Sequence, residues 1–445
     1  MKRFFSFLLS LSVCLTLMAQ FPPASNRQAD YPFIRFDLNT LHFDSTSPTM
    51  QHLLYKWAEI NATAQGNLSI LHIGGSHVQA GTLPHRVRTR LLTAYPNLVG
   101  GRGLLFPYSA AARCNNPDDY KVHCVEKVTL TRNVFKELDC PLGLCGIAVT
   151  AHDVPTTIQL IDAEPLFNYS VSRIILLGYS PQGLLPRISY DGFPVLPSYI
   201  DSANHRFVFN LTNPVDSFDI HLPCKPGQSF TLTGVALSSR HHGISYHSVG
   251  VNGAAVPDYL KCNLSNDLRL IHPDLVIFGI GINDAHGKDF DSVAFKNNYL
   301  ALCDSLRNIN PNCAFIFITN NDCYFHTGRK RYTVNPNGLQ VRDVCYRLAS
   351  ITGGAVWDQF EIMGGLKSMA KWQKASLART DKVHFTRAGY QLLGDLLFEA
   401  LDQQLQAACL KWPSSYFAKQ QAMINKRNSQ QLPRGLRRKT SHPRQ

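Results

Sequence analysis

The chain has no C-x-x-C pair, no H-E-x-x-H, no internal repeat, and only one apolar run, at its N-terminus, that approaches membrane-spanning length. These absences remove the common zinc frameworks, the metalloprotease helix, the solenoids and the helical membrane bundles. No metal is expected to be held, and the 17 histidines are scattered. Charged residues are also scarce, at 17% of 445 positions, while 44% are hydrophobic and 10% aromatic. That balance excludes a disordered, collagenous or coiled-coil chain and can bury one large core or two smaller ones.

The net charge of +13 is a property of the ends. Nine basic residues and no acidic ones fall in 411–445, and Lys2 and Arg3 add two, which leaves 33 basic against 31 acidic side chains between them. The body is therefore close to neutral. The segment 411–445 reads as a solvated, disordered basic tail that could touch an anionic envelope surface. No base-reading motif accompanies it, so nucleic acid is not an expected partner.

Lys2 and Arg3 precede the apolar run 4–18, and Leu17-Met18-Ala19 puts a small residue ahead of Gln20. Residues 1–19 read as a cleavable signal peptide, and the expected location is periplasmic or secreted. The run is about 15 residues, short of the ~20 a spanning helix needs. Eleven cysteines follow. An oxidising compartment permits bridges, and Cys114 with Cys124 or Cys140 with Cys145 are close enough to clip local loops. Cys303 and Cys345, on predicted helices, read as small buried hydrophobes.

Short apolar runs alternate with helical periodicity. Residues 68–74 (LSILHIG), 246–251, 274–280 (DLVIFGI), 313–319 (CAFIFIT) and 355–357 read as strands, and 82–92, 292–309, 337–351 and 387–408 as helices. In 292–309 the apolar positions Val293, Leu300, Cys303 and Leu306 mark the expected inner stripe. This is βαβ alternation, which predicts an α/β fold with a mostly parallel sheet covered on both faces. From about 103 to 240 the pattern changes to short alternating segments broken by Pro, Gly and Asn, such as RIILLG, RFVFNL and SFTLTGVAL. They predict an all-β sandwich over 103–240, inserted into an α/β domain formed by 20–102 and 241–410.

Chemistry enters at Gly74-Gly75-Ser76-His77, where a serine sits at a tight strand-to-helix turn and its own N–H can help hold an oxyanion. A serine nucleophile needs a base, and Asp381-Lys382-Val383-His384 supplies one. With that spacing Asp381 can orient one imidazole nitrogen of His384 and leave the other facing the serine. Two further segments, VGVNGA (249–254) and GIGIND (279–284), fall at carboxyl ends of predicted strands. They offer a glycine N–H, from Gly250 or Gly253, and the Asn283 amide as further oxyanion donors. Asn321 and Asp322, just after CAFIFIT, and the loop 363–372 are candidate substrate contacts, since open parallel sheets bind ligands beyond their carboxyl strand ends. His77, His241, His242 and His247 are each expected to be packed or solvated, with a polar pocket lining as the other possibility.

The four blocks, in this order, resemble the SGNH (GDSL-type) hydrolase family, and GSHVQAG, GRGLLFPY, SVGVNGA, GIGIND, WDQFEIMGG and DKVHFTRAGY resemble its exported Bacteroidetes-type esterases. The resemblance implies a flavodoxin-like three-layer fold, Ser76 as nucleophile, Gly253 and Asn283 as oxyanion donors beside the Ser76 N–H, and Asp381 and His384 as orienter and base. It implies no metal or organic cofactor. The inserted β segment is similar to the carbohydrate-binding-like sandwich of relatives that act on acetylated cell-wall polysaccharide, which implies an exported esterase removing acyl, in particular acetyl, groups from a carbohydrate. An O-acyltransferase using the same triad and a glycan-binding protein with a decayed site stay open as alternatives. One departure bears on them: the family's first block usually reads Gly-Asp-Ser, and Gly75 stands in the middle position here.

Overall fold

The computed structural model describes residues 21–111, 114, 117–162, 169, 171–287, 289–328 and 331–431, the last six of these by backbone alone. The expected signal peptide and the end of the basic tail, 432–445, lie outside the described residues.

The central sheet has six strands in the order Leu41–Phe43, Ala355–Trp357, Ala314–Ile318, Leu275–Gly279, Asn67–Gly74 and Gly243–Gly250. All neighbours run parallel except the edge strand Leu41–Phe43, which is antiparallel to Ala355–Trp357. The strands Leu275–Gly279 and Ala314–Ile318 are buried along nearly their whole length, as a sheet covered on both faces requires. The covering helices are Pro48–Thr63, Thr82–Ala94, Ser292–Arg307, Asn337–Thr352 and Arg387–Lys411. Ser47 caps the first, with Pro48 in its opening turn, and the Thr386 hydroxyl caps the last by accepting from Gly389 N at 3.2 Å.

The stripe expected in Ser292–Arg307 is rotated. Phe295, Tyr299, Leu302, Cys303 and Leu306 face inward, whereas Val293 is 61% exposed. The larger aromatic side chains bury more area and set the phase of the helix.

Between Gly103 and Ser238 the chain builds two antiparallel sheets. One runs Phe193–Val195, Arg187–Tyr190, Ser217–Leu222, Thr156–Asp162, Tyr120–Cys124. The other runs Tyr199–Asp201, Arg206–Val215, Val171–Tyr179, Ser229–Ser238, Ile147–His152, Thr129–Arg132, with Gly103–Leu105 also paired to Ser229–Ser238. These strands are tied to the α/β part by buried polar contacts. Leu104 N donates to His247 Nδ1 at 2.8 Å. Asp119 accepts from Arg88, on helix Thr82–Ala94, at 2.5 Å and also from Arg102, all three groups being buried. Burial alone would raise the Asp119 carboxyl, but Arg102, Arg88 and His85 beside it hold it well below the ordinary range. This ionic cluster stands at the root of strand Tyr120–Cys124.

The tail departs from expectation. Ser414–Gln431 is a helix, and its Phe417, 6% exposed, packs on Tyr55, which also meets Trp412 edge to face. Two aromatic anchors hold the start of a segment whose charge suggested only solvation. All eleven described cysteines are free thiols, so neither local clip forms. No helix among the described residues is long and apolar enough to cross a membrane.

Candidate active site

Strand Asn67–Gly74 delivers Ser76. A Cβ on Gly74 would lie 2.3 Å from Val78 Cγ2 and 2.5 Å from the Gly279 carbonyl, so only glycine lets the chain turn so close to the neighbouring strand. Gly75 precedes the single-turn helix Ser76–Gln79 and its carbonyl accepts from Gln79 N at 2.9 Å. At Gly75 a Cβ would stand 3.3 Å from Asn283 Nδ2 and 3.4 Å from the Ala254 carbonyl. No carboxylate stands at this position, and hydrogen bonds between the blocks surround the turn. Gln79 Oε1 accepts from Asn252 N at 2.6 Å, and Asn283 Nδ2 donates to Ala254 O at 2.9 Å. Asp284 accepts from Val256 N at 3.1 and 3.2 Å, and burial raises its carboxyl to about 6.

The two glycines of the second block separate cleanly. Gly250 is wedged against the nucleophile turn, where a Cβ would meet Gln79 N at 2.4 Å, and its N–H donates to Tyr108 Oη at 3.3 Å. Gly253 has φ +87° and lines the open cleft together with Ser76, Asn283 and His384. Asn283 lines the same cleft and spends one of its two amide hydrogens on Ala254 O.

His384 and Asp381 come from the turn before helix Arg387–Lys411. Ser76 Oγ lies 2.8 Å from His384 Nε2, and His384 Nδ1 lies 3.0 Å from Asp381 Oδ2. The other carboxylate oxygen accepts from the backbone N–H of Val383 and of His384, both at 2.9 Å. Partial burial pulls the Asp381 carboxyl upward, but these bonds from the ring and the backbone outweigh it and hold Asp381 well below its ordinary range. The turn is strained at Lys382, a non-glycine residue at φ +57°. It is held from outside: Tyr324 N donates to Lys382 O at 3.2 Å, and Arg379 N to His384 O at 2.8 Å.

Asn321 and Asp322 do not line the open cleft. They are 3% and 1% exposed; Asn321 Nδ2 donates to Val383 O at 3.1 Å, and Asp322 Oδ2 accepts from Met369 N at 2.9 Å. Asn321 thus holds the His384 turn and Asp322 the first turn of helix Ser368–Lys374, and both lie outside the open cleft where substrate contacts were expected. His241 and His242 are exposed. His247 is buried with both ring nitrogens engaged, by Leu104 N and Ser69 Oγ.

The cleft has a volume of about 980 Å³. Its other wall is strand Tyr120–Cys124, through Tyr120, Lys121, Val122 and His123, with Arg379 and Tyr390 at its margins. The sequence reading missed all of these. YKVHC carries only an alternation of apolar and polar residues, which predicts a half-buried strand and says nothing of where it lies.

Residues 227–392 match the family described as GDSL-like Lipase/Acylhydrolase, a span that holds the blocks of Gly253, Asn283 and His384 and leaves the Ser76 block upstream of the antiparallel sheets. A solved structure of a peptidoglycan O-acetylesterase superposes with a TM-score of 0.67 at 20% identity, covering 82% of this chain and 99% of that one. A putative GDSL-like lipase from Parabacteroides merdae is 19% identical over 36% of this chain and 73% of its own, with a TM-score of 0.29. A family two carbohydrate esterase from Cellvibrio japonicus is 10% identical over 64% and 99%, with a TM-score of 0.27. No curated protein matches the sequence. Residues 227–392 are thus similar to the GDSL-like lipase/acylhydrolases, and the chain shares the fold of a solved SGNH-type esterase.

Proposed function

We propose that the protein is an exported serine esterase that removes acetyl groups from a carbohydrate, in particular a cell-wall polysaccharide, with Ser76, His384 and Asp381 as its triad. The observation that carries this reading is the continuous relay from Ser76 Oγ to His384 Nε2 at 2.8 Å and from His384 Nδ1 to Asp381 at 3.0 Å, opening on a cleft of about 980 Å³. An open cleft lined by Lys121, His123, Asn252 and Arg379 suits a hydroxyl-rich chain better than an acyl tail. The overlay on a peptidoglycan O-acetylesterase supports the same direction through the fold. Export rests on the N-terminal apolar run.

In this mechanism His384 Nε2 takes the Ser76 proton as Oγ bonds to the ester carbon, and the carbonyl electrons move to its oxygen. The Ser76 and Gly253 N–H groups and the second amide hydrogen of Asn283 receive that oxyanion. Collapse breaks the bond to the sugar oxygen, which takes the proton from His384 and leaves. Water then adds to the acyl-enzyme with His384 again as base, releasing acetate. Asp381, kept ionised by its backbone donors, holds the imidazole tautomer and balances its transient charge.

The test is hydrolysis of a chromogenic acetyl ester, followed by acetate release from O-acetylated peptidoglycan, by the wild type and Ser76→Ala at matched folding. Activity lost with Ser76 is the expected result. Equal turnover by the two proteins would overturn the assignment.

A further inference from the structure

A second, interior cavity of about 30 Å³ borders the nucleophile turn and shares Tyr390 with the open cleft. His72, His77 and Asn320 line it, and each has a buried nitrogen with no partner in the protein: His72 Nε2, His77 Nε2 and Asn320 Nδ2. The opposite nitrogens of the two rings are engaged, His72 Nδ1 with Tyr246 Oη and His77 Nδ1 with Tyr390 Oη, both at 2.8 Å. Each ring is therefore held through its Nδ1, with a buried Nε2 left without a protein partner. His72 is 1% exposed and Asn320 7%.

Buried polar groups are seldom left unmade, because such a group forfeits its bonds to bulk water and gains nothing in return. A water molecule needs about 10–15 Å³ and two to four polar partners, and this cavity offers the room and the partners. The lining contains two imidazoles and carboxamides but no carboxylate or thiolate, so its donor set is neutral and suits a neutral occupant. Burial pushes both histidines down to about 3, which keeps them uncharged at ordinary pH. The His77 ring also leans on the catalytic base, with its centroid 5.3 Å from that of His384 at 48°, and 5.7 Å from Phe385.

We propose that this cavity is a resident hydration site holding one or two water molecules between His72, His77 and Asn320, and that the hydrated His77 is a positioning residue for the His384 ring. The second half rests on the esterase reading of His384, and the first does not. An uncharged neighbour matters here because His384 becomes an imidazolium during acyl transfer, and a second cation 5.3 Å away would oppose it.

A crystal structure of the whole chain at a resolution that shows ordered solvent is expected to place density within hydrogen-bond distance of at least two of the three nitrogens. A dry cavity would overturn the hydration site. His77→Phe keeps a ring but loses both nitrogens; the expected result is a fall in kcat on the order of ten-fold with KM within about two-fold. His77→Asn, which retains a partner for Tyr390, is expected to recover part of that loss. Unchanged kcat in His77→Phe, or no recovery in His77→Asn, would overturn the positioning role. Should the wild type prove inert on every ester, the esterase reading fails, and the positioning role is decided by the crystal structure of His77→Phe: a Ser76–His384 contact still at 2.8 Å would overturn it.

Discussion

The two walls of the cleft are built differently. Ser76, Asn283 and His384 stand at the carboxyl end of a parallel sheet whose inner strands are buried on both faces, where Gln79 after Ser76 accepts from Asn252 N, Asn283 donates to Ala254 O and Asp381 meets His384 Nδ1. The second wall, Tyr120–Cys124, is the edge strand of an antiparallel sheet and alternates buried and exposed residues. The proposed triad sits on the doubly covered sheet, where little displacement is possible, while the facing edge strand can change its outward residues at little cost to the core. The two are coupled through the Arg88, Arg102 and Asp119 cluster.

That contrast can be broken at several points. Ser76→Ala is expected to reduce acetyl-ester turnover at least about 10⁴-fold with an unchanged melting temperature. Asn283→Ala should cost on the order of 10²–10³ in kcat, read on the same ester, because one oxyanion donor goes; near-normal kcat would remove Asn283 from the hole. Asp119→Asn acts on the coupling itself. It takes the shared carboxylate from two buried guanidiniums, and about 3–5 kcal/mol of stability should disappear in denaturant unfolding. Loss of less than about 1 kcal/mol would mean that the walls are held together elsewhere.

A pH experiment separates bracing from catalysis on the first wall. The Asp284 carboxyl rises from 3.8 to about 6 on folding, so its contribution is full below pH 3.8 and lost as pH rises through about 6. Asp284→Asn does not titrate and should gain on the wild type as pH rises from about 3.8 to about 6, by at most about 3 kcal/mol, with no further gain above that. A stability difference independent of pH would contradict this. The smallest effect belongs to the second wall: Lys121→Ala should raise KM for an acetylated polysaccharide by a factor of about two to five and leave kcat/KM for a small ester unchanged. Equal effects on both substrates would make the strand part of the chemistry.

The residues that meet at the first wall were legible in the sequence, and those of the second hardly at all. Each block of the proposed site is local: a glycine turn, an Asn after a buried strand and an Asp three residues before a His are all read within a few positions, and the parallel strands announce themselves as apolar runs. Helix Pro48–Thr63 was equally legible from Met50, Leu53, Leu54, Trp57 and Ala58 and passed unread. Asn321 and Asp322 misled because a polar pair after a parallel strand can face either the cleft or the backbone of the next loop, and only the fold decides. Asp119 gave no local sign, since its partners Arg88 and Arg102 acquire meaning only once helix Thr82–Ala94 packs beside the strand root. Val293 misled through its hydrophobicity alone, without regard to the larger rings two and six positions on.

The order of strands has a further consequence for how the molecule is made. Asn67–Gly74 pairs directly with Gly243–Gly250, and everything between 75 and 242 must be synthesised before that pairing can close. Long-range parallel pairing is intrinsically slow, so the nascent chain carries an unpaired, apolar strand edge beside its serine while the antiparallel sheets fold first. Refolding should then show the antiparallel sheets gaining amide protection from hydrogen exchange before Leu68, Ile70 and Ile73 do. The segment that furnishes a wall of the mature cleft would in this way also set the pace at which the cleft is assembled.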